Sequence, residues 1–233
     1  MKDILENGFA ELVLSLDGKA AERYETYFEY LEEKNKVMNL TAISGREDVA
    51  RLHFLDCAAL LKFTDFKNKR VIDVGTGAGF PGLALKIAEP DMELTLLDSL
   101  NKRIDFLQET CDKLSFEDVT CIHARAEEAP KAFRGAFDIA TSRAVARLNA
   151  LCELCMPFLK ENGVFIAMKG PDCSEELVEA QNAIKLLGAE LVSCEEYEIP
   201  GTDIRHTAVI IRKVKPTHPK YPRKWAQIKK QPL

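Results

Sequence analysis

Apolar and polar positions follow two successive rhythms along this chain. Up to about residue 66 the rhythm is helical. Tyr24, Tyr27, Phe28 and Leu31 fall on one face of a segment spanning 19–38, and a second helix is expected over 46–62 after the turn Thr41-Ala-Ile-Ser-Gly45. From Arg70 onward, short apolar runs alternate with longer amphipathic ones. Strands are predicted at 71–74, 94–97, 119–122, 137–141, 164–168, 191–197 and 207–212, with helices at 82–88, 103–114, 148–159 and 174–187. Strands alternating with helices imply an α/β fold, a doubly wound and mostly parallel sheet with helices on both faces. Only Ile199-Pro-Gly-Thr-Asp203 separates the last two strands, so these should pair as an antiparallel hairpin at one end of the sheet. The expected organisation is an N-terminal helical appendage over 1–66, a sheet core over 67–215 and a tail over 216–233, together making one unit.

Composition narrows the class. A hydrophobic share of 46% and a charged share of 30% over 233 residues suit a globular protein. No apolar run approaches the roughly 18 residues of a membrane span, and the start lacks the basic and apolar stretches of a secretory signal. A cytoplasmic protein with no membrane partner is expected. Seven dispersed cysteines point to reduced thiols, and the pair Cys152 and Cys155 lies in a helical pattern without a second pair, so no metal site is expected. Charge is distributed unevenly. Residues 204–233 hold nine Lys/Arg and no acid, which leaves −14 on the preceding residues within a chain total of −5. Such a tail suits a polyanionic partner, and Tyr221 and Trp225 among its lysines offer faces on which bases stack; a merely solvated tail is the competing reading.

Candidate chemistry concentrates in Val71-Ile-Asp-Val-Gly-Thr-Gly-Ala-Gly-Phe-Pro-Gly82, an apolar strand running into a glycine-rich turn that opens a helix. In a doubly wound sheet, ligands bind at the carboxyl ends of the strands, which selects residues 73–79, 98–99, 123–127, 141–143 and 169–170. Asp98 follows Gly79 by nineteen positions, close to the ~20 expected of an acid that holds ribose hydroxyls. Gly77-Ala-Gly79-Phe-Pro-Gly82 satisfies a dinucleotide pattern that is weak on its own. Asp73, placed at the mouth of the pocket, would repel a pyrophosphate and attract an α-ammonium group. That favours S-adenosyl-L-methionine over a dinucleotide, with Asp73, Gly75, Gly77 and Asp98 as contacts and Ala126-Glu127 at the adenine edge. A carboxylate satisfied by neighbouring backbone amides is the structural alternative for Asp73.

Several motifs together resemble the bacterial 16S ribosomal RNA guanine-N7 methyltransferases, the glucose-inhibited division protein B family, over nearly the whole chain. They are Asn35-Lys-Val-Met-Asn-Leu-Thr41, His53-Phe-Leu-Asp56, the glycine turn, Leu96-Leu-Asp-Ser-Leu-Asn-Lys-Arg103, Arg125-Ala-Glu-Glu128, Ser142-Arg-Ala-Val-Ala146, Met168-Lys-Gly170, Arg205-His206 and Lys220-Tyr-Pro-Arg-Lys224. The resemblance implies a Rossmann-like class I S-adenosylmethionine-dependent methyltransferase. Its cofactor contacts would fall on Gly75, Phe80, Ala126, Glu127 and Arg143, and its substrate would be 16S ribosomal RNA in the 30S subunit. Two departures from the family pattern are Val37, where tryptophan is common, and Trp225-Ala226-Gln227, where a Gly-Pro or Pro-Gly is common.

The fourth strand ends in Ser142-Arg143-Ala144, without the Asn/Asp-Pro-Pro-aromatic sequence common in enzymes that methylate exocyclic amines. Guanine N7 carries an in-plane lone pair and loses no proton on methylation, so the reaction needs alignment and a dry cleft but no general base. Arg143, Lys169 and Arg125 are candidates for donating to guanine O6 or flanking phosphates. Arg205, Lys220, Arg223 and Lys224 are candidates for RNA contact. Pairing of Arg125 or Lys169 with Glu127 or Asp98 is the duller alternative. His53 and Asp56, three apart on one helix, are expected to make a structural hydrogen bond. A monomer is expected. Methylation of a small molecule or protein, a non-catalytic S-adenosylmethionine-binding RNA module and a dehydrogenase remain the alternatives.

Overall fold

In the computed structural model, which describes residues 1–233, one sheet carries the chemistry. Its parallel strands are β1 (Arg70–Val74), β2 (Glu93–Asp98), β3 (Val119–His123), β4 (Phe137–Arg143) and β5 (Leu159–Lys169). The strands β6 (Ala189–Glu198) and β7 (Arg205–Lys213) add an antiparallel hairpin, giving the order β3-β2-β1-β4-β5-β7-β6. The chain moves outward from β1 to β3 and then returns to lay β4 beside β1. Strand order reverses there, and the crevice above the carboxyl ends of β1 and β4 is where such sheets bind ligands.

Period-two alternation divides the sheet between two cores. Val71 faces one, with α5 (Gly82–Ala88), α6 (Asn101–Leu114) and the N-terminal helices α1 (Lys2–Glu11) and α2 (Gly18–Met38). Ile72 and Val74 face the other, with α7 (Leu148–Cys155), α8 (Ser174–Leu186) and α9 (Trp225–Lys230). The N-terminal helices therefore complete the core on their side of the sheet. In α2, Asp17 caps the first turn by accepting from the Ala20 amide at 2.6 Å, and Tyr24, Tyr27 and Leu31 are fully buried. The Tyr24 hydroxyl donates to the Ala84 carbonyl at 2.8 Å and that of Tyr27 donates to the Ala78 carbonyl, so α2 is pinned to the glycine turn and the helix after it.

Some elements differ from expectation. The helix expected over 46–62 is a continuous run of α3 (Arg46–Val49), a π-helical stretch Ala50–Leu55, α4 (Asp56–Ala58) and a 3-10 turn Ala59–Lys62. Wide π turns inside helices concentrate at functional sites, and this one carries His53 and runs directly into Asp56. The helix expected over 148–159 stops at Cys155. Pro157 has no amide hydrogen to extend it, Met156–Phe158 forms a 3-10 turn, and β5 already begins at Leu159.

The tail is not a solvated arm. The Arg134 guanidinium donates to the carbonyls of Thr217 (2.6 Å), His218 (3.1 Å) and Tyr221 (2.7 Å), while Arg223 grips Glu153 on α7 and Ile228 of α9 is fully buried. No helix is long and apolar enough to cross a membrane.

Candidate functional site

Three adjoining cavities lie above the carboxyl ends of the strands. A central cleft of about 370 Å³ runs along the glycine turn and is lined by Gly75, Gly77, Phe80, Asp98 and Arg143. A slot of about 240 Å³ continues it between Leu97, Ala126, Glu127, Leu154 and Trp225. On its other side a chamber of about 700 Å³ opens between His53, Arg143, Lys169, Glu176 and His206. Val145 borders all three, so they form one path.

Geometry along this path argues against a phosphate cradle. The Gly75 and Thr76 amides donate to the Leu97 carbonyl (2.8 and 3.1 Å), and Gly79 and Phe80 donate to the Thr76 carbonyl (2.9 and 3.0 Å). Gly77 donates to Asp98 at 2.9 Å. A turn that binds pyrophosphate aims such amides at the ligand; here the protein uses them itself. Gly77 has φ +62°, and a Cβ built on it would meet nothing within 4 Å, so bare backbone faces the cleft at that point. Asp98 lines both cleft and slot. One of its oxygens accepts from Gly77 and, at 3.3 Å, from Arg103; the other accepts only from the Leu100 amide at 2.9 Å and keeps a lone pair for a hydroxyl.

Asp73 requires a correction. It follows Val71 onto the helical-cap side of β1, is fully buried, and lines none of the three cavities. Its oxygens accept from the Gly82 amide (2.9 Å) and the Thr141 hydroxyl (3.0 Å), so it anchors the start of α5 beneath the cleft instead of standing at its mouth. Burial raises its pKa to about 6, against the hydrogen bonds that favour the charged form. The folded state therefore holds this proton more tightly than the unfolded chain does. Stability from this group is present below about pH 4 and is lost as pH rises to about 6. Urea unfolding of the wild type and Asp73→Asn across pH 4–7 should show this fall only in the wild type; the same profile in both would remove Asp73 as its source.

Arg143 leaves the end of β4 and separates cleft from chamber. Its guanidinium donates to Asp56 at 3.0 Å, the Leu52 carbonyl at 3.3 Å and His53 Nδ1 at 2.8 Å, and lies 5.0 Å over the Phe80 ring. The His53 ring stacks on Phe80 with 4.1 Å between ring centroids. Because an arginine only donates, His53 Nδ1 is the acceptor and its Nε2–H donates to the Thr41 hydroxyl at 2.9 Å. Burial, then the arginine charge, lowers the His53 pKa to about 3, fixing a neutral ring. Asp56, fully buried, accepts from Arg143, the Tyr197 hydroxyl (2.8 Å) and His206 Nδ1 (2.8 Å). His53 and Asp56 thus do not make the hydrogen bond expected between them and are joined instead through Arg143.

Lys169 and Arg125 do not make the pairs considered for them. Lys169 donates to Glu176 at 2.6 Å and to the Ala146 carbonyl at 2.9 Å inside the chamber. Arg125 is exposed at the slot and forms no ion pair, on the far side of the cleft from Lys169. Arg143 and Lys169 share the chamber; Arg125 does not. Gly75, Ala126 and Glu127 lie where expected, the last two along the slot.

The proposed RNA contacts divide. Lys220 and Lys224 are exposed, and Arg205 is exposed but paired across the hairpin with Glu196 (3.0 Å) and Glu198 (3.8 Å). Arg223 is corrected to a structural role. Its Nε and a terminal nitrogen donate to the two oxygens of the fully buried Glu153 at 2.8 and 2.6 Å, and its amide donates to the same carboxylate at 2.8 Å. Sequence reasoning missed this pair and the Tyr197–Asp56–His206 hub, since both depend on residues 70 to 150 positions apart.

Comparison with known proteins agrees with this architecture. Residues 20–206 match the family model described as GidB, rRNA small subunit methyltransferase G. The chain is 46% identical to ribosomal RNA small subunit methyltransferase G of Clostridium perfringens (strain SM101 / Type A), over 99% of this chain and 98% of that protein. It is also 46% identical to the protein of the same name from Alkaliphilus metalliredigens, over 100% and 98%. Among solved structures, a branched-chain polyamine synthase variant from Thermus thermophilus shares the fold at a TM-score of 0.62 and 14% identity, covering 84% of this chain and 64% of that one. M. jannaschii TYW2, solved in complex with AdoMet, aligns at 0.54 and 15%, over 65% and 72%. A family match across most of the sheet and cap, joined to full-length relatives of nearly half-identical sequence, makes this chain a member of the GidB family of ribosomal RNA small subunit methyltransferases.

Proposed function

We propose that the protein transfers a methyl group from S-adenosyl-L-methionine to N7 of a guanine in 16S ribosomal RNA, acting as a monomer on the 30S subunit in the cytoplasm. The observation that carries the cofactor assignment is the glycine turn: the Gly75, Thr76, Gly77, Gly79 and Phe80 amides are spent within the protein, which disfavours a pyrophosphate, while Asp98 keeps an acceptor for a ribose hydroxyl. When bound, S-adenosyl-L-methionine supplies an electrophilic methyl on a sulfonium. The slot between Ala126 and Leu154 suits an adenine, and the cleft by Gly77 and Phe80 suits the ribose and amino acid.

The chamber matches a target nitrogen that needs no deprotonation. Both carboxylates lining it are engaged, Asp56 by three donors and Glu176 by an ion pair to Lys169 (2.6 Å) and the Leu148 amide (2.7 Å) on one of its oxygens, which favours their charged, hydrogen-bonded forms. His53, held neutral, already accepts from Arg143. What the chamber provides is hydrogen-bond donors, Arg143 and Lys169, each held in place by a carboxylate partner. Arg143 and Lys169 are placed to donate to guanine O6 or an adjoining phosphate while N7 stays free, so its lone pair forms the new N–C bond as the C–S pair departs to sulfur. The cap over 1–66, the core over 67–215 and the tail over 216–233 act as one unit, each contributing to the site or its support.

Incubation with 30S particles from a strain lacking this modification, followed by mass-spectrometric mapping, should place one new methyl on guanine N7 of 16S ribosomal RNA. A methyl mapped to an exocyclic amine, a ribose or protein would overturn the N7 assignment.

A further inference from the structure

The tail was expected to be an arm reaching for RNA, yet Tyr221 is buried and Trp225 is turned inward. Trp225 is half-buried and lines the 240 Å³ slot together with Leu97, Ala126 and Leu154. It is held there on both sides. Before it, Arg223 is locked to buried Glu153; after it, Ile228 is fully buried in the core beneath α7. Its own amide donates to Glu127 at 3.3 Å, which ties the start of α9 to the turn after β3. A flat apolar ring fixed beside a narrow slot, with a carboxylate at its edge, is the environment a purine face prefers.

We infer that Trp225 is the aromatic wall of the adenine subsite, so that the basic tail forms part of the cofactor pocket. This rests on the proposed S-adenosyl-L-methionine site. The docked strap then has a purpose beyond packing: residues 217–223 are anchored to Arg134 and Glu153, and that anchoring sets the ring's position. Specificity follows too, since the slot rewards a planar base and gives nothing to the amino-acid end of the ligand.

Trp225 is the only tryptophan in the chain, so intrinsic fluorescence reports on this residue alone. Titration of the full chain with S-adenosylhomocysteine or adenosine should change its emission, and methionine at the same concentration should not. By calorimetry, Trp225→Ala should weaken S-adenosylhomocysteine and adenosine roughly tenfold or more, the scale of one lost base–aromatic stack, while Trp225→Phe recovers most of the affinity. Circular dichroism melts of both variants establish that they are folded. Binding of S-adenosylhomocysteine with unchanged emission, or wild-type affinity in Trp225→Ala, would overturn the inference. Equal loss in Trp225→Ala and Trp225→Phe would also overturn it, showing that shape and not an aromatic face is required. Failure of the wild type to bind S-adenosylhomocysteine by calorimetry would instead overturn the cofactor reading itself.

Discussion

Arg143→Ala is expected to reduce methyl transfer to 30S particles at least about a hundredfold, the loss typical when a group that positions or stabilises the reacting centre is removed. The guanidinium closes the wall between cleft and chamber while tying β4 to the π-helical stretch through Asp56 and His53. Its removal leaves Asp56, only 1% exposed, without its permanent cation. Breaking a buried pair from one side costs about 3–5 kcal/mol, so a lower melting temperature should accompany the lost turnover. Arg143→Lys separates the two effects. Lysine keeps the charge but has no planar fork to hold Asp56, His53 and the Leu52 carbonyl together, so it should recover more stability than activity. Methyl incorporation, thermal unfolding and S-adenosylhomocysteine calorimetry on both variants decide the matter. Arg143→Ala folded, binding cofactor and turning over at the wild-type rate would remove this residue from the reaction.

The second large effect is expected far from the chamber. Arg223→Ala strands Glu153, whose side chain is completely buried, and should destabilise the protein by about 3 kcal/mol, the lower end of the buried-pair range because the arginine itself reaches solvent. Urea denaturation measures this directly. The salt dependence of RNA binding should stay as in the wild type, since a guanidinium already committed to Glu153 releases no counterion from a phosphate. Lys224→Ala, at an exposed position, should behave oppositely, with little change in stability and a shallower salt slope. An unchanged denaturation midpoint in Arg223→Ala would show that the tail is not held by this pair.

These two arginines mark how far the sequence could be read. Alternating strand and helix patterns revealed the sheet and its hairpin, because period and spacing are local properties. The placement of the glycine turn, Asp98 and Ala126-Glu127 along the cavities was legible for the same reason: they sit at strand exits, where topology decides position. Asp73 was misplaced because its role depends on which face of β1 it joins and on α5 arriving against it, facts set by packing. Arg223 read as an RNA contact because net charge shows how many cations a segment carries but not whether a buried carboxylate from α7 already claims one. Trp225 read as part of the same arm until the strap was seen folded against the core. The helices α1 and α9 had no expectation of their own, being short and stabilised chiefly by docking, which propensity does not register.

A single carboxylate at residue 56 is shared by side chains 87, 141 and 150 positions away along the chain. None of those segments can peel off by itself without abandoning the charge or hydroxyl partners of a buried carboxylate. Sub-global opening, the usual route by which a surface pocket loosens ahead of the rest, is thereby made more costly in this region. Slow amide exchange around the pocket should track the whole molecule, and loss of the binding geometry becomes an all-or-none event.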